Sequence, residues 1–179
     1  MEKGHVFTIG HGSHSQDSLL EQLTQKQISY LIDVRSIPYS RYQPEFSQRP
    51  LEQLLRERSL RYVFMGDLLG GRPKANDCYT DGKADYSKIR EKDFFLRGID
   101  RLKNAYQQGL RICLLCSEGH PSQCHRSKLI CAALEDQGIS STHLLPDGSQ
   151  CSQAEIMTEL TQNQRDLFGE HFTSRKSYR

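Results

Sequence analysis

The sequence predicts a single doubly wound, Rossmann-like α/β domain, a three-layer sandwich around a mostly parallel sheet of about five strands. Short β-rich runs alternate with helical segments along the chain, a pattern typical of parallel sheets covered by helices. The 179 residues are enough for one domain with a sizeable core. We expect this domain to span residues 1–162, followed by a polar C-terminal tail over residues 163–179.

Each element is predicted from its own pattern. Runs of β-branched and other apolar residues predict strands over residues 5–9, 28–34, 60–64, 110–115 and 139–145. Apolar residues at helical spacing predict helices around residues 19–23, 51–55, 94–102 and 129–134, and over 152–162. Ser13 to Gln16 has the pattern of a capping box before the first helix. Residues 66–86, rich in Gly, Asp and Lys, are expected to form one long functional loop.

The composition limits the classes of function. Charged residues make up 26% of the chain and the formal net charge is +2. Positive and negative charges are therefore too evenly balanced for a protein that binds nucleic acid over its whole surface. The N-terminal residues lack the apolar stretch of a secretory signal, and no apolar run approaches the ~20 residues that span a bilayer. We therefore expect a soluble, cytoplasmic protein with no membrane partner. The six cysteines are expected to be free thiols, because the chain is long and carries no export signal.

The most informative segment joins the predicted strand 110–115 to the helix that follows it. Two thiols, two imidazoles, a carboxylate and a guanidinium fall within residues 114–126. They belong to Cys116, Glu118, His120, Cys124, His125 and Arg126. A strand–loop–helix transition is where α/β proteins place phosphate sites and nucleophiles, so the functional site is expected here.

Several chemistries fit this segment. In an anion site, the helix N-terminus and Arg126 would hold a phosphate or carboxylate, and His125 would donate a hydrogen bond or a proton. In a zinc or iron site, Cys116, His120 and Cys124 would be the ligands, because the adjacent Cys124 and His125 are expected to diverge on a helix. In a thiol site, Cys116 would act as a nucleophile or in redox chemistry. The remaining alternative is that the segment has a purely structural role, in which it caps the helix and holds it against the sheet.

Polar residues also follow the other predicted strands, and Asp33, Arg35, Arg41 and Arg72 are predicted to bind the anion. Asp33 and Arg35 share a strand face, where they either flank a ligand phosphate or pair with each other. Arg41 lies among aromatic residues, an arrangement that suits stacking on a nucleobase. Gly70-Gly71, directly before Arg72, is expected to supply positive φ in a turn.

The chain resembles the bacterial domain-of-unknown-function family numbered 488. The residues that carry this resemblance are Thr8-Ile9-Gly10-His11, Asp33-Val34-Arg35-Ser36-Ile37-Pro38, Ser40-Arg41, Leu69-Gly70-Gly71-Arg72-Pro73, Leu115-Cys116, Cys124-His125-Arg126, and His143 with Pro146-Asp147-Gly148. The resemblance implies an α/β fold and a cytosolic protein. It implies no activity, because the family's name records that none is established.

The predicted tail contains a second pattern. Gln164-Arg165-Asp166-Leu167-Phe168 is similar to the pentapeptide that binds the bacterial sliding clamp, with Arg165 in place of leucine. Gln164, Leu167 and Phe168 would then insert into an apolar pocket of the clamp. The alternative is that Leu167 and Phe168 dock on the protein's own core.

The leading hypothesis is an enzyme that acts on a phosphate-bearing substrate, a nucleotide or nucleic acid, at the C-terminal edge of the sheet. We assign His11, Cys116, Glu118 and His125 to catalysis. The arginines at positions 35, 41, 72 and 126, with Asp33, would bind the substrate anion. The rival hypotheses are a non-catalytic DNA-maintenance module recruited to the sliding clamp, and a metal-dependent or thiol-redox protein built on Cys116, His120 and Cys124.

Overall fold

The computed structural model describes residues 3–12, 14–162 and 172–179. The described residues form nine strands: β1 His5–Gly10, β2 Tyr30–Asp33, β3 Arg61–Phe64, β4 Tyr79–Thr80, β5 Lys83–Asp85, β6 Arg111–Cys116, β7 Ser141–Leu144, β8 Gln150–Ser152 and β9 Thr173–Ser177. Their α-helices are α1 Gln16–Gln25, α2 Gln48–Glu57, α3 Gly66–Leu69, α4 Tyr86–Arg90, α5 Asp93–Gln107, α6 Ala132–Glu135 and α7 Gln153–Gln162. Among these residues, no helix is both long enough and apolar enough to cross a membrane.

The main sheet confirms the α/β class and the five predicted strands. Its order is β3-β2-β6-β1-β7-β8, and the first five of these strands run parallel. The prediction of about five strands is too low by one, because β8 adds an antiparallel edge strand beside β7. The central strand β6 lies between β2 and β1, so the loop after Cys116 emerges beside the carboxyl ends of both neighbours.

Helices pack on both faces of this sheet. Along β6, Ile112 and Leu114 join the core cluster that contains α5, whereas Cys113 and Leu115 join the cluster that contains α1 and α2. Alternate residues of a strand point to opposite faces, so the two clusters lie on opposite sides. Helices on both faces of the sheet are what the three-layer prediction requires. The more specific description of the fold as doubly wound and Rossmann-like stays a prediction.

Short elements replace much of the loop predicted over residues 66–86: helix α3, a 3-10 turn over Asn76–Cys78, and the strands β4 and β5 of a second sheet. β4 and β5 form a hairpin in which Asp81 and Gly82 adopt positive φ, and β9 pairs antiparallel with β5. Strands of two and three residues carry too little periodicity to be recognised from the sequence. The predicted polar tail over 163–179 therefore includes a strand that packs on the protein, while residues 163–171 lie outside the described part of the chain.

The first helix also begins differently from its predicted capping box. Ser15 is the N-cap of α1, and its hydroxyl accepts a hydrogen bond from the backbone N–H of Ser18 at 3.1 Å. Ser13, the predicted cap, lies outside the described residues. Both serines are good cap residues, so sequence alone does not separate them.

Candidate functional site

A small pocket of about 80 Å³ opens at the carboxyl edge of the main sheet. The loop after β2 lines one wall with Arg35 and Ser36, and the loop after β6 lines the other with Cys116 and Glu118. His125, from the start of the following helix, also lines it. The strand ends singled out in the sequence thus meet at one place, as parallel-sheet topology requires.

Three donor atoms converge at this pocket. The Sγ atoms of Cys116 and Cys124 are 2.6 Å apart, and Nδ1 of His125 lies 3.7 Å from each sulfur. The two thiols are buried and the imidazole is half-buried. Within the described part of the chain, this trio is the one group of such side chains whose ligand atoms all lie close enough to share a metal ion.

The expectation that Cys124 and His125 diverge on a helix is wrong. Pro121–Gln123 form a 3-10 turn, and Cys124 then has an extended backbone with φ −125° and ψ 148°. His125 is the first helical residue, with φ −62° and ψ −22°, and precedes a π-helical segment over Arg126–Cys131. The change from extended to helical backbone between the two residues brings both side chains to one point.

His120 is not part of this trio. Its Nδ1 is 2.8 Å from the hydroxyl of Ser122, two residues further along the loop. His125 takes the place in the candidate ligand set that the sequence assigned to His120.

The imidazole of His125 is held in one orientation. Its Nε2–H donates to the backbone carbonyl of Val34 at 3.0 Å, so Nδ1 presents its lone pair to the two sulfurs. Gly71 packs against the other side of the ring, where a Cβ would lie 2.9 Å from its Cγ. The prediction of positive φ at Gly70-Gly71 is wrong, because φ is −66° at Gly70 and is not positive at Gly71. At Gly71 a side chain is excluded by the close approach of the histidine.

Protonation at the pocket follows from burial and from these contacts. Burial, together with the neighbouring sulfur of Cys124, raises the pKa of Cys116 well above its usual value. A cysteine nucleophile needs the opposite shift, since the thiolate is the reactive form. The Cys116 thiol donates to Oε2 of Glu118 at 3.0 Å. Burial alone would raise the pKa of Glu118, but this hydrogen bond and the neighbouring groups keep it below its usual value.

Asp33 and Arg35 pair with each other, the second of the two predicted alternatives. Nε and Nη2 of Arg35 donate to the two carboxylate oxygens of Asp33 at 2.9 Å and 2.6 Å. Tyr62 donates to the same carboxylate at 2.7 Å. Asp33 is fully buried and is screened from the pocket by this pairing, whereas Arg35 lines the pocket. Nη1 of Arg35 is buried and has no hydrogen-bond partner among the described residues, so it is an unused donor on a side chain that lines the pocket.

Arg126 has a different role from the predicted anion binding. Its side chain is fully buried, and Nη1 and Nη2 donate to the backbone carbonyls of Glu118 and Gly119 at 2.7 Å and 2.9 Å. It does not line the small pocket. Arg126 therefore shapes the loop that carries Cys116 and Glu118, and anion binding by this residue remains an untested prediction.

Arg72 lies at the rim of the small pocket together with Tyr178, a residue that the sequence analysis missed. The guanidinium of Arg72 stacks over the Tyr178 ring at 4.3 Å, and its backbone N–H donates to the Ser36 hydroxyl at 2.9 Å. Tyr178 follows β9, which pairs with β5 and also contacts the loop before Cys124, where Arg175 donates to the side-chain oxygen of Gln123 at 3.1 Å. No local sequence signal marks such a residue, because its contact with the site spans more than one hundred positions.

The motifs that build this site also identify its family. The family model of the domain of unknown function DUF488 matches residues 15–133, which is more than half of the 179 residues. This chain belongs to the DUF488 family. The match includes both pocket walls and the Cys116–Cys124–His125 trio, and it excludes Tyr178. No curated protein and no solved structure matches the chain.

Two further predicted residues, His11 and Arg41, are not part of the pocket lining in this DUF488 protein. His11 is buried, its ring stacks on Phe46 at 4.8 Å, and its Nδ1 is 3.1 Å from the side-chain oxygen of Gln43. Burial and the charge of Arg35 lower the pKa of His11. Arg41 is exposed, and neither residue lines the small pocket. The clamp-binding pattern with Gln164, Leu167 and Phe168 lies outside the described residues and stays a prediction.

Proposed function

We propose that this DUF488 protein is a metal-dependent enzyme that acts on a phosphate-bearing substrate. A zinc or iron ion would be held by Cys116, Cys124 and His125. The observation that carries the proposal is the convergence of these three donors beside a pocket that Arg35, which has one buried nitrogen without a hydrogen-bond partner among the described residues, also lines. Two thiolates and one imidazole are a ligand set of catalytic zinc sites, and sulfur and nitrogen donors suit iron as well.

The distances suit a tetrahedral ion. With metal–sulfur bonds of about 2.3 Å and a metal–nitrogen bond of about 2.0 Å, the donors would be roughly 3.5–3.8 Å apart. The two sulfur–nitrogen distances are already 3.7 Å. The sulfurs, at 2.6 Å, must separate by about 1 Å, which small side-chain rotations of Cys116 and Cys124 provide. The hydrogen bond from His125 to Val34 is the second contact that metal-bound histidines usually make.

Three protein ligands leave a fourth position for a water molecule, which is the arrangement of catalytic sites. A bound cation would lower the pKa of that water and supply a nucleophile at neutral pH. Glu118 lies next to the Cys116 sulfur and is placed to take the proton. Arg35 and Arg72 line the same pocket and would hold the phosphate group of the substrate.

The test is the metal content of protein purified without an affinity tag or chelator, measured by mass spectrometry. We expect about one zinc or iron per chain in the wild type and a loss of at least tenfold in Cys116→Ser, Cys124→Ser and His125→Ala. His120→Ala and Cys151→Ser are matched controls that remove the same groups outside the trio, and they should keep the metal. Thermal unfolding would verify that each variant is folded. A folded wild-type protein without metal, which also binds none on addition of zinc or ferrous iron, would exclude the proposal.

The short distance between the sulfurs favours a second candidate, a dithiol redox centre. Cys116 and Cys124 are close enough to form a disulfide by losing two electrons and two protons to an acceptor such as a peroxide. Mass spectrometry of non-reduced peptides would detect this bond. A metal-free protein with a Cys116–Cys124 disulfide that a thiol reductant reverses would favour redox chemistry over the metal centre.

A further inference from the structure

We infer that the substrate of this site is a mononucleotide, a flat heteroaromatic base joined through a sugar to a phosphate. The base would lie in a second, larger cavity beside the small pocket, between Phe64 and Phe94. This inference rests on the proposed function for its reaction, but the binding can be measured independently of the metal.

The size of the small pocket limits what it can hold. Its volume of about 80 Å³ fits a phosphate group or a few water molecules, because one water occupies about 30 Å³ in the liquid. The rest of a substrate must therefore lie outside it. A larger cavity of about 450 Å³ lies alongside and falls within the range of about 300–1,000 Å³ that is usual for ligand sites.

The two cavities are adjacent, because they share lining residues. Ser36 and Arg72 line both of them. The Ser36 hydroxyl accepts the backbone N–H of Arg72, so its own O–H can donate to a ligand that passes between the cavities. Arg35 and Arg72 then place positive charge at one end of a two-part site.

The larger cavity has the chemistry of a base site. Half-buried Phe64, from the end of β3, and half-buried Phe94, from α5, supply aromatic surface. Asp67 and Lys74 place an acceptor and a donor at its rim. An aromatic, largely apolar cavity with a few polar groups selects a flat ring with hydrogen-bonding edges, and a sugar phosphate alone would leave this cavity unfilled.

The position of the other exposed aromatic residues favours a mononucleotide over a nucleic acid strand. Tyr39 and Tyr42, 67% and 91% exposed, lie on the loop after β2 and line neither cavity. A strand would need a series of stacking surfaces along its path. Phe64 and Phe94 are the aromatic residues that line the larger cavity, and Tyr178 lines the small pocket under Arg72.

The test is calorimetric titration of the purified protein with AMP, GMP, CMP and UMP, beside ribose 5-phosphate and a short oligothymidylate. We expect at least one nucleotide to bind about tenfold more tightly than ribose 5-phosphate. Phe94→Leu keeps an apolar side chain but removes the aromatic face, and it should weaken that nucleotide about tenfold. Leu96→Ala is the matched control on the same helix, because Leu96 is exposed and does not line the cavity. It should leave the affinity unchanged.

Metal content measured on the same samples separates the two proposals. Nucleotide affinity no better than that of ribose 5-phosphate, in protein that contains its metal, would overturn the base site and leave the metal-dependent enzyme standing. Oligothymidylate that binds more tightly than every mononucleotide would also overturn the inference, in favour of a nucleic acid strand. Nucleotide binding that depends on Phe94 in metal-free protein would support the base site and count against the metal centre.

Discussion

One buried arginine lies in the first wall of the small pocket and another lies behind the second wall, and the two arginines are used differently. In the wall after β2, Arg35 neutralises Asp33 and has one buried nitrogen without a hydrogen-bond partner among the described residues. Behind the wall after β6, Arg126 donates to backbone carbonyls and does not line the pocket. Arg126 also has an unpartnered nitrogen, Nε, but Arg126 does not line the small pocket. A buried arginine with an unpaired donor therefore points to an anion site only when its side chain also lines a pocket.

The largest effect is expected from breaking the buried ion pair of the first wall. Arg35→Leu leaves the buried Asp33 carboxylate with Tyr62 as its remaining side-chain donor. An uncompensated buried charge costs about 3–5 kcal/mol, so we expect a loss of this size in the free energy of unfolding. Urea denaturation followed by circular dichroism measures it.

The double variant Asp33→Asn with Arg35→Leu is the control, because it removes both charges. It should recover much of the lost stability. Behind the second wall, Arg126→Met should cost about 2 kcal/mol, since its partners are neutral carbonyls, and Asp33→Asn should not rescue it. Equal rescue of both arginine variants by Asp33→Asn would show that the two walls are not independent.

We expect acid to lower the free energy of unfolding through His143, a buried histidine that packs behind the second wall. His143 is fully buried between Thr8 and Gln153, and Gln153 also bonds Ser127, next to Arg126. Burial lowers the pKa of His143 from 6.5 to about 4. The unfolded chain therefore binds more protons between pH 6.5 and pH 4, and stability falls as the pH is lowered through this window. The loss attributable to His143 is about 3 kcal/mol at pH 4.

The measurement is the free energy of unfolding at a series of pH values for the wild type and for His143→Gln. The variant should lose stability at pH 7 but show a shallower decline towards pH 4, by about the amount assigned to His143. His11 and His14, whose pKa values burial also lowers, supply the slope that remains. An unchanged slope in the variant would assign the acid sensitivity to those two histidines instead.

The smallest effect on stability is expected from a substitution at Gly71, which packs against the His125 ring between the two walls. Gly71→Ala places a Cβ 2.9 Å from the His125 ring, so the ring must shift from its hydrogen bond with Val34. We expect about 1 kcal/mol of lost stability and about tenfold weaker zinc binding, measured by competition with a chromogenic chelator. Gly119→Ala is the matched control in the second wall, because the nearest contact of its Cβ would be 3.8 Å away. Equal zinc affinities in the two variants would contradict the proposal that the orientation of the His125 ring matters for metal binding.

The main sheet was predictable because its strands have long, distinctive patterns. The apolar run over β6 and the helical periodicity that follows it are enough to place a buried strand and a helix. The strands β4, β5 and β9 were missed because they are short and polar. The pairing of β5 with β9 brings together residues more than eighty positions apart, and it leaves no periodic signal.

The sequence identifies which residues form the candidate site more reliably than it identifies what each of them does. Cys116, Glu118, Cys124 and His125 were all selected from the sequence, and the structure brings them together. The prediction of His120 rather than His125 as a metal ligand is wrong because it requires a helix that already includes Cys124. In the structure Cys124 is extended and the helix begins at His125, so the two side chains converge.

The sequence by itself determined the α/β class, the positions of the five parallel strands along the chain, and the strand ends at which chemically active side chains gather. These follow from local periodicity and from the rule that parallel strands share one carboxyl edge. Only the tertiary structure decided which nitrogen of Arg35 stays unpaired, that Arg126 binds backbone, and that Tyr178 reaches the pocket. Those outcomes depend on contacts between residues distant in the chain, whose geometry is set by packing and by the pairing of buried polar groups.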